Sequence, residues 1–71
     1  MKFEYDSEVD AGYIYLVPKI EKGETKKTIQ LNKNIILDFN EKGQLIGIEI
    51  LNAKQILGEH TLISQKIEKY S

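Results

Sequence analysis

A chain of 71 residues holds one domain, and at this size only ~60% of the unfolded surface is buried on folding, which leaves a thin stability margin. It contains no cysteine, so disulfides, thiolate metal sites and thiol nucleophiles are excluded and a cytoplasmic setting is the default expectation. Eleven acidic residues face ten basic ones for a net charge of −1, and every basic residue is lysine, so the arginine-rich footprint of a nucleic-acid binder is missing.

The first strand is expected at residues 2–6, where Phe3 and Tyr5 alternate with Lys2, Glu4 and Asp6. A polar turn follows over 6–10. Residues 11–17 are rich in aromatic and β-branched side chains and read as a second strand, ended by Pro18, which cannot donate to a ladder. Third, fourth and fifth strands are expected at about 25–31, 34–39 and 44–51. After Leu51 the pattern changes. Asn52 with Gln55 suggests an N-cap and capping-box partner, and Gly58 suits the residue just past a helix. These imply a short helix from Ala53 to Leu57, and Thr61 could cap a second helix with Ile63, Ile67 and Tyr70 on one side, so the helical segment runs over about 53–70. Nowhere does an apolar run approach bilayer length, and residues 1–4 lead into no signal-peptide core, so no membrane association is expected. Lysine, glutamate and isoleucine are enriched, as in thermophile proteins and equally in products of AT-rich genomes.

These elements predict an α+β domain: a mostly antiparallel, meander-like sheet of four to five strands packed against a C-terminal helical segment. Its core should come from Ile14, Leu16, Ile29, Leu31, Ile35, Leu37, Ile46, Ile48 and Ile50. With Glu41 and Lys42 at the turn, Leu37 should face Ile46 and Ile35 should face Ile48, all on one face of the sheet. A one-residue slip would oppose apolar and polar positions, so the hairpin pattern is specific.

The same stretch, from Asp38 to Glu49, nearly matches a twelve-residue calcium loop. Asp38, Asn40 and Glu49 occupy oxygen-ligand positions, but Lys42 stands where an oxygen is needed, and strands flank the loop instead of helices. In the hairpin, Asp38 and Glu49 would lie about 13 Å apart along the strand at ~3.3 Å per residue. The hairpin excludes the EF-hand.

The residues Tyr5-Asp6, Asp10-Ala11, Tyr13-Ile14 and Leu16, then Ile36-Leu37-Asp38, Gly43 and the run from Gly47 to Ala53, resemble a family of small prokaryotic proteins known as domain of unknown function 2283. The resemblance covers roughly residues 2–57 and implies a compact β-rich domain with a helical end. It implies no activity, cofactor or catalytic residue. For some similar proteins it implies partnership with small toxin-like neighbours, an antitoxin-like role. Gly12 and Lys42 depart from the usual pattern, which has a larger apolar and an acidic residue there.

Two functional readings remain. Glu4, Asp6, Glu8 and Asp10, with Asp38 and Glu41 from the hairpin, could form a weak all-oxygen site for a divalent cation, calcium above all. Against this, acidic residues also populate turns because they hydrogen-bond their own backbone. Tyr5, Tyr13 and Tyr15 suit an interface at a sheet face or an open sheet edge, with a homodimer or a small protein partner as the occupant, since tyrosine joins a large apolar body to a polar tip. The chain is not expected to be an enzyme. His60 has no partner for nucleophilic or metal chemistry, the serines lack a nucleophile elbow, and the five glycines form no phosphate cradle.

Overall fold

A computed structural model describes residues 1–58 and Leu62. Five strands, β1 (Lys2–Asp6), β2 (Ala11–Tyr15), β3 (Lys27–Asn32), β4 (Ile35–Phe39) and β5 (Leu45–Leu51), are followed by one short helix, α1 (Ala53–Leu57). All five strands form a single antiparallel sheet in the order β1-β2-β5-β4-β3. The five expected strands and the first part of the helical segment are present, with β2 stopping two residues earlier and β3 beginning two residues later than the pattern predicts. The order, however, is not a simple meander. The hairpin β1–β2 docks beside β5, and the connection over residues 16–26 carries the chain to the far edge, where β3 begins. β3, β4 and β5 then return by consecutive hairpins, as in a Greek key run in reverse. At the crossing, the Leu16 amide donates to the Ile46 carbonyl and the Lys26 amide donates to that of Phe39.

Register divides the side chains between two faces. Phe3, Ile14, Ile48, Leu37 and Ile29 stand in one row across the sheet, and Tyr5, Gly12, Ile50 and Ile35 in the next. This face carries the core. Ile50, Ala53 and Leu62 are buried together, with Phe3, Tyr5, Ile14, Ile48 and Leu57 packed around them, and Ile46 is buried separately. Coverage thins toward the last strands. Ile14, Leu16, Ile35, Leu37 and Ile48 are half-buried, whereas Ile29 and Leu31, both expected in the core, are 39% and 62% exposed. They fail as core residues because β3 is the edge strand, and all six of its residues are exposed.

The β4–β5 register is shifted by two residues from the predicted one: Ile35 faces Ile50 and Leu37 faces Ile48. A two-residue shift keeps every side chain on its own face, so the apolar pattern cannot distinguish the registers. The turn makes the choice. Glu41, Lys42 and Gly43 form a three-residue loop in which Gly43 takes φ 80° and its amide donates to the Asn40 carbonyl. The Asn40 side-chain oxygen accepts from the amides of Lys42 and Gln44. This is a type I turn completed by a glycine bulge, one residue longer than the two-residue turn expected, and the second residue of the shift comes from an irregularity between Asp38 and Phe39, where Phe39 faces Leu45 but Asp38 faces Gly47.

Asn52 precedes α1 as predicted, but in a left-handed conformation and with no side-chain cap. Its amide group reaches instead to the Asn34 side chain, tying the end of β5 to the β3–β4 turn. The helix is capped from a distance by Asp10: the Ala53 amide donates to its carbonyl and the Lys54 amide to its carboxylate, at 3.0 and 3.1 Å. His60 and, apart from Leu62, the expected second helix lie outside the described residues. Among the described residues, no helix is long and apolar enough to cross a membrane.

Candidate functional site

The face of the sheet opposite the helix is built mainly of polar and aromatic residues. Directly opposed across the strands are Lys2, Tyr15, Gly47, Asp38 and Thr28 in one row, and Glu4, Tyr13, Glu49, Ile36 and Gln30 in the next. Tyr13 leans diagonally across Gly47, so closely that a β-carbon on Gly47 would clash with its phenol oxygen. Glycine is required there by this close approach, not by backbone conformation. Having crossed β5, the Tyr13 hydroxyl donates to Asp38 Oδ2 at 2.6 Å, and Thr28 Oγ1 donates to Asp38 Oδ1 at 2.8 Å. In the other direction the Tyr13 ring meets Tyr15 edge-on, with centroids 4.8 Å apart. Tyr15 donates to Glu4 Oε1 at 3.0 Å, and Lys2 lies both beside Glu4 and over the Tyr15 ring.

The result is a continuous chain of contacts from Thr28 on one edge strand to Lys2 on the other. Its members are half-buried in the middle and exposed at both ends. Both phenols are held in their protonated form. Partial burial is the leading cause for each, followed by the carboxylate that accepts the hydroxyl: Asp38 for Tyr13, with Tyr15 and Glu49 adding to it, and Glu4 for Tyr15. Such a network fixes two large side chains without covering them.

The other predicted site residues are dispersed. Tyr5 lies on the helix-bearing face, in the core cluster, and donates to Asp10 Oδ1 at 2.7 Å. The Asp6 carboxylate accepts the Glu8 amide at 2.9 Å, the local turn bond that favours Asp at such positions. Asp10 takes φ 54° and directs its carboxylate to Tyr5 and the helix amide. Glu8 and Glu41 are exposed, Glu4 serves Tyr15, and Asp38 serves Tyr13 and Thr28. Among the described residues, no three His, Cys, Asp or Glu side chains are placed together to hold a metal. Two shallow recesses are open to solvent, one lined by Glu4, Tyr5, Asp6 and Ser7, the other by residues flanking the β4–β5 turn.

Sequence reasoning missed the partners of the tyrosines. Gly47 carried the clearest available signal, as a glycine inside a strand often marks a close approach by a neighbouring group. Thr28 and Lys2 gave none, since their roles depend on which strands become neighbours.

The family model described as "Protein of unknown function (DUF2283)" matches residues 2–54, which include every strand and the start of the helix. The chain belongs to the DUF2283 family. It is 41% identical over 56 residues to the uncharacterised protein MJ0789 of Methanocaldococcus jannaschii, a match that covers 79% of this chain. The same match covers 44% of that relative, so the chain spans less than half of its length. No solved structure matches. The matched segment contains the whole Tyr13–Gly47–Asp38 arrangement, and so the network of this DUF2283 protein lies entirely inside the family domain.

Proposed function

We propose that this protein is a non-enzymatic interaction module of the cytoplasm that presents its Tyr13–Tyr15 face to another protein surface. A single observation carries the proposal: two aromatic side chains are locked by hydrogen bonds on a face that the helix leaves open. Rigid aromatic groups lose little entropy on binding and combine apolar contact with hydrogen bonding at the rim. The occupant is a second copy or a different small protein; an antitoxin-like pairing would be one instance. No cofactor and no nucleic acid enter this reading.

Binding of calcium at the acidic first turn has less behind it. Asp6 and Asp10 are both engaged by backbone amides, and the remaining carboxylates do not converge. A titration of the protein's ¹⁵N-labelled amides with Ca²⁺ should therefore leave residues 4–12 unshifted, and saturable shifts confined there would restore the cation reading.

The interaction face is tested with the double variant Tyr13→Ala/Tyr15→Ala, checked for a native far-UV spectrum. If the occupant is a second copy, dilution of wild type shifts the amides of Tyr13, Tyr15, Asp38 and Gly47, and the variant shows no such dependence. If it is another protein, that protein is retained by wild type and lost by the variant. Dilution-independent spectra together with equal retention by both would sink the proposal.

A further inference from the structure

The two edges of the sheet differ in charge and exposure. Alongside β1, residues 2–10 hold four carboxylates and one lysine, and the strand is half-buried at Phe3, Glu4 and Tyr5. Along β3, residues 26–33 hold three lysines and no carboxylate, and every strand residue is exposed. β3 has β4 on one side and no strand on the other among the described residues, so alternate backbone amides and carbonyls face outward. Beside those groups, Ile29 and Leu31 expose apolar surface between Lys27 and Lys33. Leu31 is extruded by the bulge between Gln30 and Asn32.

We propose that the β3 edge is a strand-addition site for an extended acidic segment of a partner protein, one in which carboxylates alternate with apolar side chains. Charge selects the occupant. Pairing β3 with β3 of a second copy sets a lysine-flanked strand against itself, which opposes association. Pairing it with β1 of a second copy satisfies charge but leaves a free edge at each end, a contact that grows instead of closing. An acidic segment meets neither difficulty. Its backbone adds to the ladder at residues 27–30, a carboxylate stands across from Lys27, and an apolar side chain stands across from Ile29. Leu31 offers a second apolar contact just beyond the paired length. This site meets the tyrosine network only at Thr28 and does not depend on a partner at the tyrosine face.

The test uses the full chain and three short synthetic peptides: one with Glu and Val alternating on one face and Thr between them, one with Lys in place of Glu, and the acidic one with alternate amides N-methylated. The acidic peptide should produce saturable amide shifts at residues 27–31, and the other two none. The variant Lys27→Glu/Lys33→Glu alters only exposed side chains; it should weaken the acidic peptide roughly tenfold and admit the lysine peptide instead. Equal binding of the N-methylated peptide would reduce the effect to charge attraction and overturn the proposal. Absence of binding, shifts at Tyr13, Tyr15 and Gly47 instead of β3, or peptide-independent shifts of β3 with protein concentration would also overturn it, the last by making a second copy the occupant.

Discussion

The two faces of this sheet solve the same problem with different chemistry. On one, a five-residue helix and Leu62 cover apolar side chains of β1, β2 and β5, and stability comes from area removed from water. On the other no second layer lies among the described residues, and hydroxyls and carboxylates are joined in a row that touches all five strands. Each face also carries an aromatic ring over a glycine: Phe3 over Gly12 on the first and Tyr13 over Gly47 on the second. The first pair fills space in a core, and the second steers a hydrogen bond across a strand. In a small domain, an uncovered face can thus be made rigid by directional contacts where apolar area is short.

Substitutions can separate the two contributions. The largest effect should come from the apolar face. Ile50 is 4% exposed, and Ile50→Ala should cost about 3 kcal/mol by chemical denaturation, enough to unfold much of a domain this small. Next is Gly47→Val, which forces Tyr13 off Asp38; it should cost about 2 kcal/mol and lower the melting temperature by ~8 °C or more. A loss under ~0.5 kcal/mol would mean that Tyr13 is not held as described. Asp10→Ala removes the carboxylate part of the remote helix cap and the Tyr5 acceptor together, for about 1–2 kcal/mol, and hydrogen exchange should quicken at Lys54.

The smallest effect depends on pH. Because the folded state holds the Tyr13 proton more tightly than the unfolded chain does, its contribution is complete below the ordinary tyrosine value of 10.0 and is lost as pH rises beyond it. Tyr13→Phe should cost about 1 kcal/mol at neutral pH. It should also show a shallower loss of stability than wild type between about pH 9 and about pH 11, to either side of the ordinary tyrosine value, measured by melting at each pH. Identical slopes would place the bond to Asp38 outside the energetics of the folded state.

Much of the fold was legible because strands announce themselves through a period of two, and the five predicted strands are the five present. What local pattern cannot encode is which strands become neighbours. Ile29 and Leu31 alternate like core residues, yet exposure follows from the position of β3 at the edge. The β4–β5 register was ambiguous for a similar reason, since moving by two residues preserves both faces. The helix cap shows the limit most directly: Asn52 has the right identity and position, but the bond comes from Asp10, 44 residues from the amide it accepts. Of the candidate site, Tyr13 and Tyr15 could be identified as a pair on one face, while Asp38 entered the sequence reading only as a cation ligand. Its role as acceptor for Tyr13 requires β2 and β4 to flank β5.

That long-distance cap has a consequence for how the chain folds. Five residues are too few to hold a helix in water, so α1 has no independent existence before the β1–β2 turn reaches it. Helix formation is therefore placed late, after the two ends of the domain have closed on one another, and its rate should follow sheet closure instead of local propensity. Lengthening or improving the helix sequence should then slow unfolding while leaving the folding rate almost unchanged.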